Sequence, residues 1–64
     1  MNDDQLRAAA LAMETGRYGS FAEFIGRAYL AADPNNRDRL TRAFADLFAQ
    51  IDRNLKQMEI FTNE

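Results

Sequence analysis

The fold is decided by residues 33–61, which read DPNNRDRLTRAFADLFAQIDRNLKQMEIF. Asp33 can cap a helix that has Pro34 at its first position. From Phe44 onward, apolar residues recur at steps of four and three, which is the spacing of a seam between packed helices. The pattern predicts one continuous helix over 34–61, about 40 Å long at 1.5 Å per residue.

Two shorter helices precede this long one, over about 3–15 and 20–32. Asn2 or Asp3 can cap the exposed amides of the first helix, and Gly16 is placed to end it. Both segments carry apolar residues at helical spacing, so each has one face that can pack against a neighbour.

The second helix carries two further signals. Ser20 and Glu23 have the spacing of a capping box at its start. Gly26 lies inside the helix, where glycine costs about 1 kcal/mol relative to alanine. We interpret Gly26 as permitting close contact with the alanine-rich first helix, and the alternative is a ligand approaching that backbone. For the third helix, Asn36 is an alternative cap to Asp33.

Short connections imply that successive helices pack antiparallel. The chain is therefore predicted to be all-α, a single three-helix domain over residues 1–64 with a long C-terminal helix. The first two helices form a hairpin against the first half of the third, and residues 40–48 close the core with the phenylalanines of the second helix. The segment after Gln50 is expected to project beyond the hairpin.

Apolar surface on this projecting segment predicts a homodimer. A domain of this size buries only about 60% of the surface that its unfolded chain exposes, and the absence of cysteine removes disulfides as a source of stability. Two tails packed across a twofold axis would bury both seams at once. The alternative is a third helix that bends or frays after Gln50, in a chain that stays monomeric. The predicted dimer interface is Ile51, Leu55, Met58 and Phe61.

The composition argues against catalysis. Without histidine or cysteine, a general base would have to be a carboxylate or lysine whose pKa is shifted by burial. We therefore expect no enzymatic activity. No calcium-loop spacing is present either, so we expect no metal and no cofactor.

The acidic N-terminal residues have the wrong sign for a secretory signal, and no apolar run approaches the roughly 18 residues that span a bilayer. The expected location is the cytoplasm, without membrane contact.

Protein binding is the function that needs no special motif. Carboxylates on the first two helices could form a face that contacts a partner or imitates nucleic-acid phosphates, although a net charge of −2 is modest for mimicry. The candidate partner-binding residues are Asp3, Asp4, Glu14 and Glu23.

A DNA-binding regulator is the alternative. Arg37, Arg39 and Arg42 cluster at the start of the third helix, which would be the recognition helix of a helix-turn-helix. Against this hypothesis, Asp38 lies four residues before Arg42, a spacing that neutralises charge within the helix. The negative net charge is also the wrong sign for a phosphate-driven binder.

Residues 17–33, RYGSFAEFIGRAYLAAD, and residues 35–48, NNRDRLTRAFADLF, resemble short open reading frames carried by proteobacterial phages and integrative elements. The resemblance covers rather more than half of the chain and implies a small all-helical accessory protein of a mobile element. Inhibitors of host defence in that class, notably anti-CRISPR proteins, are frequently this small, cysteine-poor and acidic. The resemblance carries over no functional residues.

The preferred hypothesis is therefore a phage-encoded inhibitor that occupies a surface of a host CRISPR defence complex, a protein or ribonucleoprotein assembly in the host cytoplasm. A third possibility is a subunit-like adaptor inside a phage assembly.

Overall fold

The computed structural model describes the backbone of residues 1–62 and the side chains of residues 1–58. Within that range the chain forms α1 (Asp3–Glu14), α2 (Ser20–Ala31), α3 (Pro34–Ala43) and α4 (Ala45–Thr62). The all-α prediction is confirmed. The predicted count of three helices is wrong, because the segment 34–61 is divided into α3 and α4.

The division falls at Phe44, where φ is −120° and ψ is 36°. The amide of Phe44 donates to the carbonyl oxygen of Leu40 at 2.9 Å, and the amide of Phe48 donates to that of Phe44 at 3.1 Å. Backbone hydrogen bonds therefore carry the chain through the bend. Because α3 and α4 point in different directions, α3 packs against α2 while α4 packs mainly against α1.

Phe44, at the bend, and Phe48, one turn later, have different neighbours. The ring of Phe44 packs edge-on against Phe21, with 5.6 Å between the centroids. The ring of Phe48 packs against Tyr29, with 5.5 Å between the centroids. Phe48 therefore lies in the core, and Phe44 lies partly buried at its edge.

Most of the predicted helix ends are confirmed. Asn2 caps α1, since its Oδ1 accepts from the amide of Gln5 at 2.8 Å, and the Gln5 side chain accepts from the amide of Asn2 at the same distance. Gly16 follows the C-terminus of α1 with a φ of +83°, a conformation that favours glycine. Asp33 caps α3, because its Oδ1 accepts from the amide of Asn36 at 2.8 Å.

The predicted capping box at the start of α2 is wrong. The N-cap is Gly19, with a φ of +97° and no side-chain cap bond, and Ser20 is already the first helical residue. The carboxylate of Glu23 instead forms an ion pair with Arg27 at 2.7 Å. With a φ of +97° and a ψ of 165°, the N-cap position of α2 has a backbone conformation that essentially only glycine adopts, so a serine does not occupy it.

The core lies where α1, α2 and α4 meet. The interpretation of Gly26 is confirmed, since a Cβ added there would lie 2.6 Å from the carbonyl oxygen of Ala10 and 2.9 Å from the Cβ of Met13. Small residues at this crossing bring the two helix backbones together, and the larger side chains fill the space beside them. The buried residues are Ala9, Ala10, Met13, Ala22, Tyr29, Phe48 and Ile51.

The phenylalanines of α2 do not close the core, contrary to the prediction. Phe21 and Phe24 are each 62% exposed. Tyr29 takes the core position instead, because the buried face of α2 carries Ala22, Gly26 and Tyr29. The apolar stripe of α2 is wider than its partners can cover, so one edge of it remains on the surface.

Candidate interaction surfaces

The C-terminal seam lies largely on the domain rather than beyond it. Ile51 is 3% exposed and Leu55 packs partly buried beside the core, whereas Met58 is 42% exposed. The hydroxyl of Tyr18 donates to the Oδ1 of Asn54 at 2.7 Å and ties the α1–α2 loop to this part of α4. The predicted projection after Gln50 is therefore wrong for the first turns of the segment.

These positions bear directly on the predicted dimer interface. Ile51 is buried within one chain and has no apolar surface to offer a second copy. Leu55 offers only part of its surface, and the Phe61 side chain lies outside the described residues. Dimerisation through these residues stays a prediction, and α2 carries apolar side chains that are more exposed.

Within residues 1–58, the most exposed large apolar side chains are Phe21 and Phe24. They form a row along α2 with two exposed alanines, here called the α2 stripe: Phe21, Phe24, Ala28 and Ala31. A shallow groove of about 520 Å³ runs between the C-terminal half of the stripe and α3. The sequence predicted that Phe21 and Phe24 would close the core, although their spacing with Ala28 and Ala31 could have marked a separate seam. The groove is lined by Ala28, Ala31, Ala32, Asn36, Arg39, Leu40 and Ala43.

A second concave surface, here called the α1–α3 cleft, lies between the start of α1, the end of α2 and α3. Its volume is about 500 Å³, and it combines charged walls with an apolar floor. Asp3 and Asp4 form one side of its mouth, where the positive end of the α1 dipole stabilises both carboxylates. The cleft is lined by Asp3, Asp4, Leu6, Arg7, Tyr29, Leu30, Pro34, Arg37, Asp38 and Thr41.

Arg37 is held in a fixed position in the wall of this cleft. Its Nε donates to the carbonyl oxygen of Ala32 at 3.0 Å, and its guanidinium carbon lies 5.7 Å from the centroid of the Tyr29 ring. A cation over a tyrosine face is attracted by the ring quadrupole. Arg37 therefore links α3 to the C-terminal end of α2 while its side chain stays exposed.

The four candidate partner-binding carboxylates do not form one surface. Asp3 and Asp4 line the α1–α3 cleft, whereas Glu14 is at the other end of α1, about 15 Å further along the helix axis. Glu23 is on α2, paired with Arg27. Only Asp3 and Asp4 are brought together, and within residues 1–58 neither carboxylate has an ion pair.

The three arginines of the DNA-binding hypothesis also diverge. Arg37 lines the α1–α3 cleft and Arg39 lines the groove beside the α2 stripe, so the two lie on opposite sides of α3. Arg42 forms an ion pair with Asp38 at 3.1 Å, as the four-residue spacing predicted. No single face of α3 presents all three guanidinium groups to a nucleic-acid groove.

Comparison of the chain with protein-family models, with characterised proteins and with solved structures gives no match. None of the helices within residues 1–62 is long and apolar enough to cross a membrane. Among the described residues, no three carboxylates converge as they would around a metal ion. The surfaces themselves are therefore the basis for a functional argument.

Proposed function

We propose that the protein is a non-enzymatic binding module that inhibits a host CRISPR defence complex in the host cytoplasm by occupying one of its surfaces through the α1–α3 cleft. The resemblance of residues 17–33 and 35–48 to phage open reading frames supports the choice of target. The observation that carries the choice of surface is the pair of carboxylates, Asp3 and Asp4, at the mouth of a concave site.

The chemistry of the cleft suits a basic partner surface. Asp3 and Asp4 have no ion pair within residues 1–58, so a lysine or arginine of a partner can bind them without first displacing a cation of the chain. Arg37 also lines the cleft, and arginine is a residue type common at the energetic centres of protein interfaces. Complementary charge at such a site gives specificity and a faster association.

Capture of the target with charge variants tests this proposal. The tagged chain, incubated with a cytoplasmic extract of a host that carries the defence complex, is expected to retain that complex in a fixed stoichiometry. Asp3→Asn with Asp4→Asn should abolish retention, because the basic partner loses both carboxylates.

The matched control is Glu14→Gln with Asp46→Asn. This pair removes the same amount of charge at positions that do not line the cleft. Asp46, like Asp3 and Asp4, lies in the first turn of a helix, whereas Glu14 is the last residue of α1. Equal retention by both double variants would show that the cleft is not the contact surface. Failure of the unmodified chain to retain the complex would exclude the proposed target.

A further inference from the structure

The α2 stripe has the spacing of a coiled-coil seam. Its four residues are separated by three, four and three positions in the sequence. Phe21 and Ala28 therefore occupy heptad position a, and Phe24 and Ala31 occupy heptad position d. All four side chains are exposed, whereas the opposite side of α2 supplies the core. The helix therefore has two packing faces, and α1 covers only one of them.

The N-terminal half of the stripe carries two large side chains, and its C-terminal half carries two small ones at matching distances from the centre. Phe24 and Ala28 lie two residues on either side of Gly26, and Phe21 and Ala31 lie five residues on either side. In an antiparallel pair of helices, residues at heptad position a face residues at heptad position d of the partner. Two α2 helices centred on Gly26 therefore set a phenylalanine opposite an alanine in every layer.

We propose that the α2 stripe binds a second copy of this chain in an antiparallel, twofold-symmetric dimer. Such an interface is isologous, so each contact occurs twice. Phe24 packs against the partner's Ala28, and Phe21 packs against the partner's Ala31, beside which the groove between α2 and α3 opens. A parallel pair would instead place rings against rings at one end and leave a gap between alanines at the other.

Charge along one flank of the stripe also fits a second copy. Glu23 and Arg27 pair within α2, and the Arg27 side chain is 59% exposed. In the antiparallel dimer, Arg27 lies about 3 Å along the helix axis from the partner's Glu23 and equally far from the partner's Arg27. Each guanidinium is then within reach of a carboxylate from both chains, and the flank is neutral with two charges of each sign.

The area available is enough for a reversible dimer. Four phenylalanine rings at 62% exposure would bury on the order of 500 Å². A specific interface needs about 1,000 Å². The exposed alanines of the stripe, and Leu40 and Ala43 in the adjoining groove, add apolar surface to that of the rings. We expect the dimer to dissociate on dilution.

Light scattering over a wide concentration range tests the dimer and its register. The unmodified chain should change from the mass of one chain to that of two. Phe24→Ala should raise the dissociation constant at least about tenfold, because a symmetric dimer loses the ring twice. The exchange variant Phe24→Ala with Ala28→Phe restores one large and one small residue in each layer and should recover dimerisation. Leu11→Ala, at an exposed apolar residue of α1, should leave the dissociation constant unchanged.

A chain that stays monomeric at every concentration would overturn the proposal, and so would an exchange variant no better than Phe24→Ala. If the stripe instead binds another protein, Phe24→Ala will weaken that complex while the unmodified chain alone scatters as a monomer, and the dimer is again excluded. Circular dichroism checks that each variant is folded, which is expected because Phe24 is 62% exposed and outside the core.

Cross-linking measures the register directly, since the chain contains no cysteine. An equimolar mixture of the Phe24→Cys and Ala28→Cys variants should form the mixed disulfide under mild oxidation, and this mixed dimer retains three of the four phenylalanine–alanine layers. The Leu11→Cys variant should not cross-link at a comparable rate. Equal rates would contradict the antiparallel register.

The dimer does not depend on the proposed function. The α2 stripe and the α1–α3 cleft share no residue. Substitutions in the stripe change the mass of the free chain, and substitutions at Asp3 and Asp4 change retention of the host complex. Each proposal can therefore fail without the other.

Discussion

At the scale of single residues, Gly26 controls how closely α1 and α2 approach. An added methyl group would lie 2.6 Å from the carbonyl oxygen of Ala10 and 2.9 Å from the amide nitrogen of Glu14. Both are backbone atoms, so the overlap can be relieved only by moving one helix away from the other. The cost of that movement competes with the gain of about 1 kcal/mol in helix propensity that alanine brings.

We expect the separation of the helices to outweigh the gain in propensity. Gly26→Ala should lower the free energy of unfolding by about 1–3 kcal/mol, which is typical of overpacked cores. Urea denaturation followed by circular dichroism measures this difference. A variant more stable than the unmodified protein would show that the two backbones are not in contact at this position.

A second residue-scale prediction concerns the bond between Tyr18 and Asn54, whose atoms are 2.7 Å apart. Tyr18→Phe removes the donor and keeps the ring, so the free energy of unfolding should fall by about 1 kcal/mol. Asn54→Ala should have a similar effect, and the two substitutions together should cost clearly less than their sum. Strict additivity in this double-mutant cycle would mean that the bond contributes nothing.

At the scale of helices, the apolar residues that recur every three or four positions in α4 are buried at its start and exposed further along. Ile51 is 3% exposed in the core, and Met58, two turns later, is 42% exposed. Ile51→Ala should therefore cost about 2–5 kcal/mol of unfolding free energy, whereas Met58→Ala should cost less than about 1 kcal/mol. Thermal denaturation of both variants at the same low concentration provides the measurement. Equal losses would contradict the packing of α4 on α1.

The helix ends show what local sequence determines. The caps at Asn2 and Asp33 and the glycine after α1 follow from hydrogen bonds within four residues, and they were predictable for that reason. The bend at Phe44 was not, because neither proline nor glycine marks it and the apolar spacing continues through it. The bend depends on where Phe48 packs, which is a tertiary contact with Tyr29.

The α2 stripe illustrates the same limit. Its residues and those facing the core form one broad apolar band in the sequence, and the periodicity does not say which edge of the band is covered. Coverage is decided by Gly26, which draws α1 onto one side of α2. The other edge, with Phe21 and Phe24, is exposed as a consequence. The two interaction surfaces could therefore be located only once the helices were placed.

At the scale of the whole molecule, dimerisation should be visible as stability that depends on concentration. A ligand that binds only the folded state raises the unfolding temperature as its concentration rises, and a second copy acts in the same way. The melting temperature of the unmodified chain should increase with protein concentration, whereas that of the Phe24→Ala variant should increase much less. A melting temperature independent of concentration for both proteins would contradict this prediction.

We propose that this small helical domain acts by occupying a surface of a host defence complex. The most direct measurement is the plating efficiency of a phage that is targeted by the CRISPR defence of its host, with and without expression of this chain. Expression should restore plating to the level seen on a host without the defence, and the Asp3→Asn, Asp4→Asn variant should not. Unchanged plating with the folded, expressed chain would contradict the account.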